Sequence, residues 1–338
     1  MPRPARRAAD APDAHAWIGE LLGEEAMAHL APGAKSTAHA IGQDTVERMA
    51  GDLVRMALFT EYRRHPLRRD DVMKKIIGKD ASRAFPVIFA VAQHMLKTTF
   101  AYELVEMRAR NQENPLLVEQ AEKLDERVGA KRQRTEPTRK DMSASATWML
   151  RSTLPPAVLQ ELGRRDTQDA ALVDWSMDAQ LGGMGLLFLI LSIILLCGRR
   201  VDEGRLRAYL AQLSLSVDRA LPSALQPFHG SDEGETSTQS RQRFSGDHKL
   251  TLETYMAQLQ RQGYLEKVRV ETVRGSDGSA QAPAAEYRWG PRAEVEIGEQ
   301  AVGAFVVRMF GAVKNETPQD STELEKLMER AAGTPLVG

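Results

Sequence analysis

One cysteine, Cys197, is all the thiol chemistry in this 338-residue chain. A single cysteine excludes a disulfide framework and any zinc site built on paired thiolates, and it fits a reducing, intracellular compartment. Because it ends an apolar run, Cys197 is expected to be a small buried hydrophobe. Catalytic signatures are missing as well. The seven histidines show no H-E-x-x-H or other paired spacing, and no G-x-x-x-x-G-K-[ST] occurs. "GGMG" at 182–185 lacks the G-x-G-x-x-G spacing and reads as a turn rather than a phosphate cradle. The expectation is a protein that is not an enzyme and has no metal, cofactor or small-molecule substrate. Excess charge is also absent: with a formal net charge of -1, any affinity for nucleic acid must come from local patches. "MPRPARRAADAPDAHAW" at the start has no apolar core like that of a signal peptide, and Asp10 and Asp13 count against a transit peptide. Without a secretory signal, the glycosylation sequon at Asn315 carries no weight.

Long apolar runs are scarce too, with one exception. "GGMGLLFLILSIILLCGRR", from Gly182 to Arg200, lies in a stretch of about twenty uncharged residues, near what a helix needs to cross a bilayer. The rest of the chain argues against a span, since 27% of residues are charged and mean hydropathy is -0.38. Glycines occupy the first part of the run, and only Leu186 to Cys197 is densely apolar. At about 1.5 Å per residue that part reaches roughly 18 Å, short of a hydrocarbon core of about 30 Å. A short helix apolar on every side belongs at the buried centre of a domain.

Periodicity divides the chain into two similar halves. Val46, Met49, Ala50, Leu53 and Ala57 recur at helical spacing up to Tyr62. A short second helix carries Val72, Met73, Ile76 and Ile77 and ends at Gly78. A third follows Pro86, and "ELVEM" and "SATWMLR" read as two strands. The same order recurs as Leu186–Cys197, then a helix capped by Asp202 and carrying Leu206, Tyr209, Leu210 and Leu213. A helix with Leu252, Tyr255, Met256 and Leu259 stops at Gly263, and "YLEKVRV" and "AEYRWG" flank a Gly-rich joint. A last helix runs through Val295, Val302, Phe305, Val306 and Met309. The fold class expected is mostly α with small β wings, as tandem winged-helix domains. Residues 1–45 are expected to be a disordered or weakly helical tail, and 46–151 a first winged helix with a polar insertion at about 109–143. A connector at 152–180, a second winged helix at 181–313 and a loose tail at 314–338 follow.

Three strings carry a family likeness: "GMGLLFLILSIILLCGRRVDEGRLRAYL", "GDHKLTLETYMAQLQRQGYLEKVRV" and "AEYRWGPRAEVE". Together they resemble the MAGE homology domain, with its apolar helix, its K-L before the third helix, its Y-L-E strand and its W-G-P-R-A signature. "DLVRMALFTEYRRHPLRRDDVMKKIIG" with "FPVIFAVAQHMLKTTFAYELVEM" looks like the first winged helix of the same domain. The likeness covers about Val46 to Gly311 apart from the insertion. "ALFTEYRRHPLRR" is more similar to the fungal members, the third non-SMC element of the Smc-five/six complex, than to the animal antigens. The resemblance implies a nuclear scaffold for chromosome maintenance and DNA repair. It would bind a RING-type ubiquitin ligase subunit through its first domain, a kleisin subunit through its second, and double-stranded DNA.

Candidate sites follow from pattern and resemblance together. "YRRHPLRRDDVMKKIIGKDASR" holds eight Lys and Arg against three Asp. Arg63, Arg64, Arg68, Arg69, Lys74 and Lys75, with Arg199, Arg200 and Lys249 of the second half, are the candidate phosphate contacts. The competing reading makes them solvated helix ends. Met56 and Phe59 lie off the core stripe of the first helix and Leu58 borders it; this second apolar face suits the RING subunit or packing against Leu154 to Leu162. Leu259, Tyr264 and Leu265 are either kleisin anchors or ordinary core. Trp289 reads as packing. "KRQRTEPTRK" in the insertion is a nuclear localisation signal or a tether. A stand-alone winged-helix transcription regulator is the alternative function. Its recognition helix, "AFPVIFAVAQHMLKTTF", would offer only Gln93, His94 and Lys97 to base edges.

Overall fold

The computed structural model describes residues 16–109, 146–163, 180–216, 219–222, 225, 250–270, 284–314, 318–332 and 336. The insertion, Lys249 and the joint between the last two strands lie outside the described residues. The chain forms two compact units, Met1–Met107 with Ala144–Pro155, and Arg108–Ser143 with Pro156–Gly338.

The first unit opens with three helices, α1 (Ala16–Leu22), α2 (Glu24–Ala28) and α3 (Pro32–Ile41). Ile18, Ala34 and Ala38 are buried in its core, so this part of the expected tail is folded. The weakly helical alternative understated this part, because its apolar residues are few and its alanines small and they bury only against a surface built elsewhere; residues 1–15 lie outside the described residues. Helix α4 (Gln43–Tyr62) buries Val46, Ala50, Leu53, Val54 and Ala57, the stripe that periodicity marks. Strand β1 (Leu67–Arg68) follows, then α5 (Arg69–Val72), whose last turn widens into a π-turn at Met73–Ile77 and stops at Gly78. Gly78 has φ 73°, a left-handed value that suits glycine. Helix α6 (Phe85–Met95) ends in a second π-turn, Leu96–Phe100, and leads into β2 (Tyr102–Met107). Strand β3 (Thr147–Ser152) pairs antiparallel with β2 from Tyr102↔Ser152 to Met107↔Thr147. On its other edge β3 pairs with β1, Leu67↔Trp148, making a three-stranded sheet. Trp148 packs on Phe85 and Phe89 with ring centroids 5.9 and 5.0 Å away, joining wing to helix.

In the second unit α7 (Pro156–Leu162) precedes α8 (Gln180–Leu196). Among the described residues no helix is long and apolar enough to cross a membrane. Helix α8 is instead the core, with Leu186, Leu187, Ile190, Leu191, Ile194 and Leu195 all buried. Cys197 falls just beyond it, in the turn, and is exposed, which corrects the expectation of a buried hydrophobe. Strand β4 (Arg200–Asp202) leads into α9 (Glu203–Gln212). The Asp202 carboxylate accepts from the backbone N–H groups of Gly204 and Arg205, satisfying donors that a helix start leaves open. Leu206 and Leu210 of α9 are buried, whereas Tyr209 and Leu213 are exposed, so its apolar stripe is narrower than the pattern implied.

Helix α10 (Leu252–Gln262) starts at a reciprocal Thr251–Thr254 capping box and ends at left-handed Gly263. Strands β5 (Leu265–Val270) and β6 (Ala284–Trp289) pair from Leu265↔Trp289 to Val270↔Ala284, and β4 joins the free edge of β6. The expected last helix is two, α11 (Pro291–Glu296) and α12 (Glu299–Lys314), broken at Gly298 with φ 75°. The supposedly loose end includes α13 (Pro318–Ala332), which buries Met328 and Ala332. Each unit therefore has the order helix, edge strand, helix, helix and two-stranded wing, mostly α with small β wings.

Candidate nucleic-acid and partner interfaces

The basic stretch of the first unit forms where α4 turns into the wing sheet. Arg63 follows the last residue of α4, and Arg64 takes a left-handed φ of 53° that reverses the chain without a glycine. Pro66 then releases the backbone into β1, whose pairing with Thr147 sets Arg68 on an exposed strand position. Arg69 begins α5, and its guanidinium lies 4.7 Å from the centroid of the Phe85 ring. This stacking holds the stem while the residue as a whole stays exposed. Lys74 and Lys75 project from the π-turn and are exposed, as are Arg63, Lys79 and Arg83. Lys79 and Arg83 lie within the quoted basic stretch but outside the candidate set.

In the second unit the candidate cations take different places. Arg199 is only 4% exposed. Its Nε and Nη2 donate to the Glu299 carboxylate at 2.5 and 2.7 Å, and Nη1 donates to the Ala332 carbonyl. A buried guanidinium committed to a carboxylate and a helix end has no route to a phosphate, so Arg199 leaves the DNA-contact set. Arg200 is half-buried on β4, opposite Arg288 in register. Proximity in sequence grouped the two arginines; the left-handed φ of 64° at Arg199 separates them, turning one inward.

The polar residues of α6 are also partly committed. The Gln93 amide donates to the Leu104 carbonyl at 3.1 Å and accepts from the Leu104 N–H at 2.8 Å. It replaces a strand partner at the edge of β2 and has little left for a base edge. Lys97 sits 3.3 Å from Glu103, which also takes Arg151 at 2.6 Å. The Arg151 hydrogen bond, and then Lys97, hold the Glu103 carboxyl below its ordinary pKa despite some desolvation. His94 is exposed.

The RING candidates separate by depth. Phe59 is 72% exposed and Tyr62 86%, while Met56 and Leu58 are partly buried and packed against the core. Phe59 and Tyr62 stand three residues apart, hence on one helix face, with Arg55 and Arg63 one turn to either side of Phe59. Tyr62 was legible from that spacing but absent from the candidate set.

The kleisin candidates are corrected outright. Leu259, Tyr264 and Leu265 are each no more than 2% exposed and belong to the core of the second unit. The Tyr264 hydroxyl donates to Glu296 Oε2 at 2.7 Å. The same oxygen takes Arg292 Nε at 2.6 Å, and the Arg292 guanidinium lies 5.3 Å from the Tyr264 ring centroid. Arg292 is itself completely buried. Around them Gly290 N–H donates to the Tyr264 carbonyl and Arg292 N–H to the Gly263 carbonyl. The Trp289 indole N–H donates to the Leu191 carbonyl at 3.0 Å. The W-G-P-R-A string is thus the knot joining wing, α10 and α8. No group of three or more His, Cys, Asp or Glu able to hold a metal occurs among the described residues.

The model of the MAGE homology domain matches residues 53–300, from the middle of α4 through both wings to the start of α12. The chain belongs to the MAGE homology domain family. Among curated relatives, the human non-structural maintenance of chromosomes element 3 homolog is 24% identical over 278 residues. That alignment covers 82% of this chain and 64% of the human protein, so less than two thirds of the relative's length is spanned. The mouse homolog is 22% identical, with coverage of 82% and 70%. A chain of a solved Nse1-Nse3-Nse4 complex aligns at 18% identity with a TM-score of 0.48, covering 86% of this chain and 99% of that one.

Proposed function

We propose that this MAGE-domain chain is a non-enzymatic scaffold subunit of a Smc-five/six chromosome maintenance and DNA repair complex in the nucleus. In this reading it holds a RING-type ubiquitin ligase subunit on its first unit and a kleisin subunit on its second, and adds non-specific affinity for double-stranded DNA. The observation that carries the reading is the family match running through both winged-helix units, with element 3 homologs alignable over 82% of the chain. Two surface features support it. Exposed Phe59 and Tyr62 give the first unit an aromatic face of the kind that anchors interfaces. The run from Arg63 to Lys75 presents exposed cations at a reach suited to phosphates. Buried Leu259, Tyr264 and Leu265 take no part in docking, so the kleisin must use other residues of the second unit.

Co-expression with a RING subunit and a kleisin of the same organism, followed by gel filtration, tests the reading. A stoichiometric ternary complex is the expected result. A chain that elutes alone, yet binds one DNA sequence far better than others, would establish the transcription regulator instead. Gln93, tied to Leu104, weighs against that outcome.

A further inference from the structure

Helix α8 has no polar side to give to water. One flank forms the core with α9, α10 and the wing; on the other, Phe188, Leu189 and Ile193 pack at its margin. That second flank is covered by the chain itself. Phe305 of α12 meets Phe188 with ring centroids 5.4 Å apart, and α13 adds Met328 and Ala332, one helical turn apart and both buried. Gly303 marks the crossing on α12: a methyl group there would come within 2.9 Å of Leu336 Cδ1 and 3.6 Å of Met328 Cε. A side chain at this position would displace the end of the Leu336 side chain while only touching Met328.

Among the described residues, Arg199 gives α13 a polar anchor. Arg199 grips both ends of the cover at once, the Glu299 carboxylate that starts α12 and the Ala332 carbonyl that ends α13. A cation at the last carbonyl also complements the helix dipole. Holding it there requires the left-handed backbone at Arg199, which non-glycine residues adopt reluctantly and which clusters at functional positions. Among its described side chains, Met328 and Ala332 face inward while Glu323, Lys326, Leu327, Glu329, Arg330 and Ala331 are exposed.

We propose that α13 is a releasable strap, latched by Arg199, that occupies an apolar strip of α8 and α12 and opens as a unit separate from the winged-helix core. The strip is thereby reserved for α13 itself, whose Met328 and Ala332 are buried and whose last carbonyl meets the Arg199 guanidinium. This device is independent of the scaffold reading, because it involves only the chain's own helices.

Hydrogen exchange on the full chain tests it. Arg199→Leu alone leaves Glu299 buried without its cation and risks unfolding, so the paired Arg199→Leu, Glu299→Leu variant is the decisive one. Exchange at α13 amides should rise about 10-fold or more in the paired variant, as expected for loss of a charged hydrogen bond. Exchange at α10 and across β5–β6 should change by less than about 2-fold, since local opening need not involve the most stable elements. A fluorescent peptide of residues 318–336 should bind a full chain whose own strap is displaced by Met328→Asp, which keeps Arg199 in place, and not the native chain. If α13 exchange is unchanged, or rises in step with α10, the latch or the separate opening is disproved. Peptide binding equally to the native chain, or to neither, would show that no reserved strip exists.

Discussion

Reversing Arg68 and Arg69 to Glu is the sharpest trial of the DNA-binding surface. Five candidate cations of the first unit are exposed, namely Arg63, Arg68, Arg69, Lys74 and Lys75. If each neutralises one phosphate of duplex DNA, log affinity falls with log salt at a slope of about -4.5, and removing two contacts leaves about -2.7. Raising salt from 50 to 200 mM should then cost the native chain about 500-fold in affinity and the variant about 40-fold. The fold should survive the change. Arg68 contributes its backbone, not its side chain, to the pairing with Thr147; Arg69 loses only its stacking on Phe85, about 1 kcal/mol at an exposed site. A carboxylate at position 69 also suits the start of α5. Fluorescence anisotropy on several unrelated duplexes across a salt series reads the slope, with thermal unfolding and RING and kleisin co-purification as controls. An unchanged slope would show that these arginines touch no phosphate. A preference of about 100-fold for one duplex, equivalent to about 2.7 kcal/mol, would mean base readout and defeat the non-specific reading.

Phe59→Asp with Tyr62→Asp should release the RING subunit at unchanged melting temperature, because both side chains are exposed; retained binding would place that interface elsewhere. Gly290→Ala should destabilise the second unit by more than about 3 kcal/mol in urea denaturation, since the new methyl would lie 2.1 Å from the Gly263 carbonyl oxygen and 2.9 Å from Leu265 N. Gly185→Ala, inside α8 with nothing within 4 Å, should instead stabilise by about 0.5–1 kcal/mol. The Glu203 carboxyl is held below its ordinary pKa chiefly by the Lys267 hydrogen bond, with Arg207 adding to it against desolvation. A carboxylate lowered on folding contributes stability above its unfolded pKa and loses it as pH falls through the folded value. Lys267→Met should therefore flatten the decline of stability with acid, as followed by urea titrations at stepped pH; an unchanged acid limb would refute the pairing.

The core stripes were legible because helical periodicity records which residues leave water. Val46, Ala50, Leu53 and Ala57, or Leu252, Tyr255, Met256 and Leu259, needed no partner in view to be recognised. Caps and stops such as Asp202, Gly78 and Gly263 were equally plain, since each satisfies a local backbone requirement. The edge strands Leu67–Arg68 and Arg200–Asp202 were not, because two or three residues carry no period and are strands only through their pairing with β3 and β6. The same holds for α13, whose Met328 and Ala332 find burial only against α8 and α12. Leu259, Tyr264 and Leu265 show why site residues were the hardest to read: an apolar pattern says that a side chain leaves water, not whether its own core or another protein receives it. Sequence alone determined the tandem winged-helix plan and the family likeness, because both rest on local pattern. Tertiary structure alone decided that Arg199 is a buried latch while Arg68 remains a surface cation, since burial depends on which distant segments, here Glu299 and Ala332, arrive beside a charge.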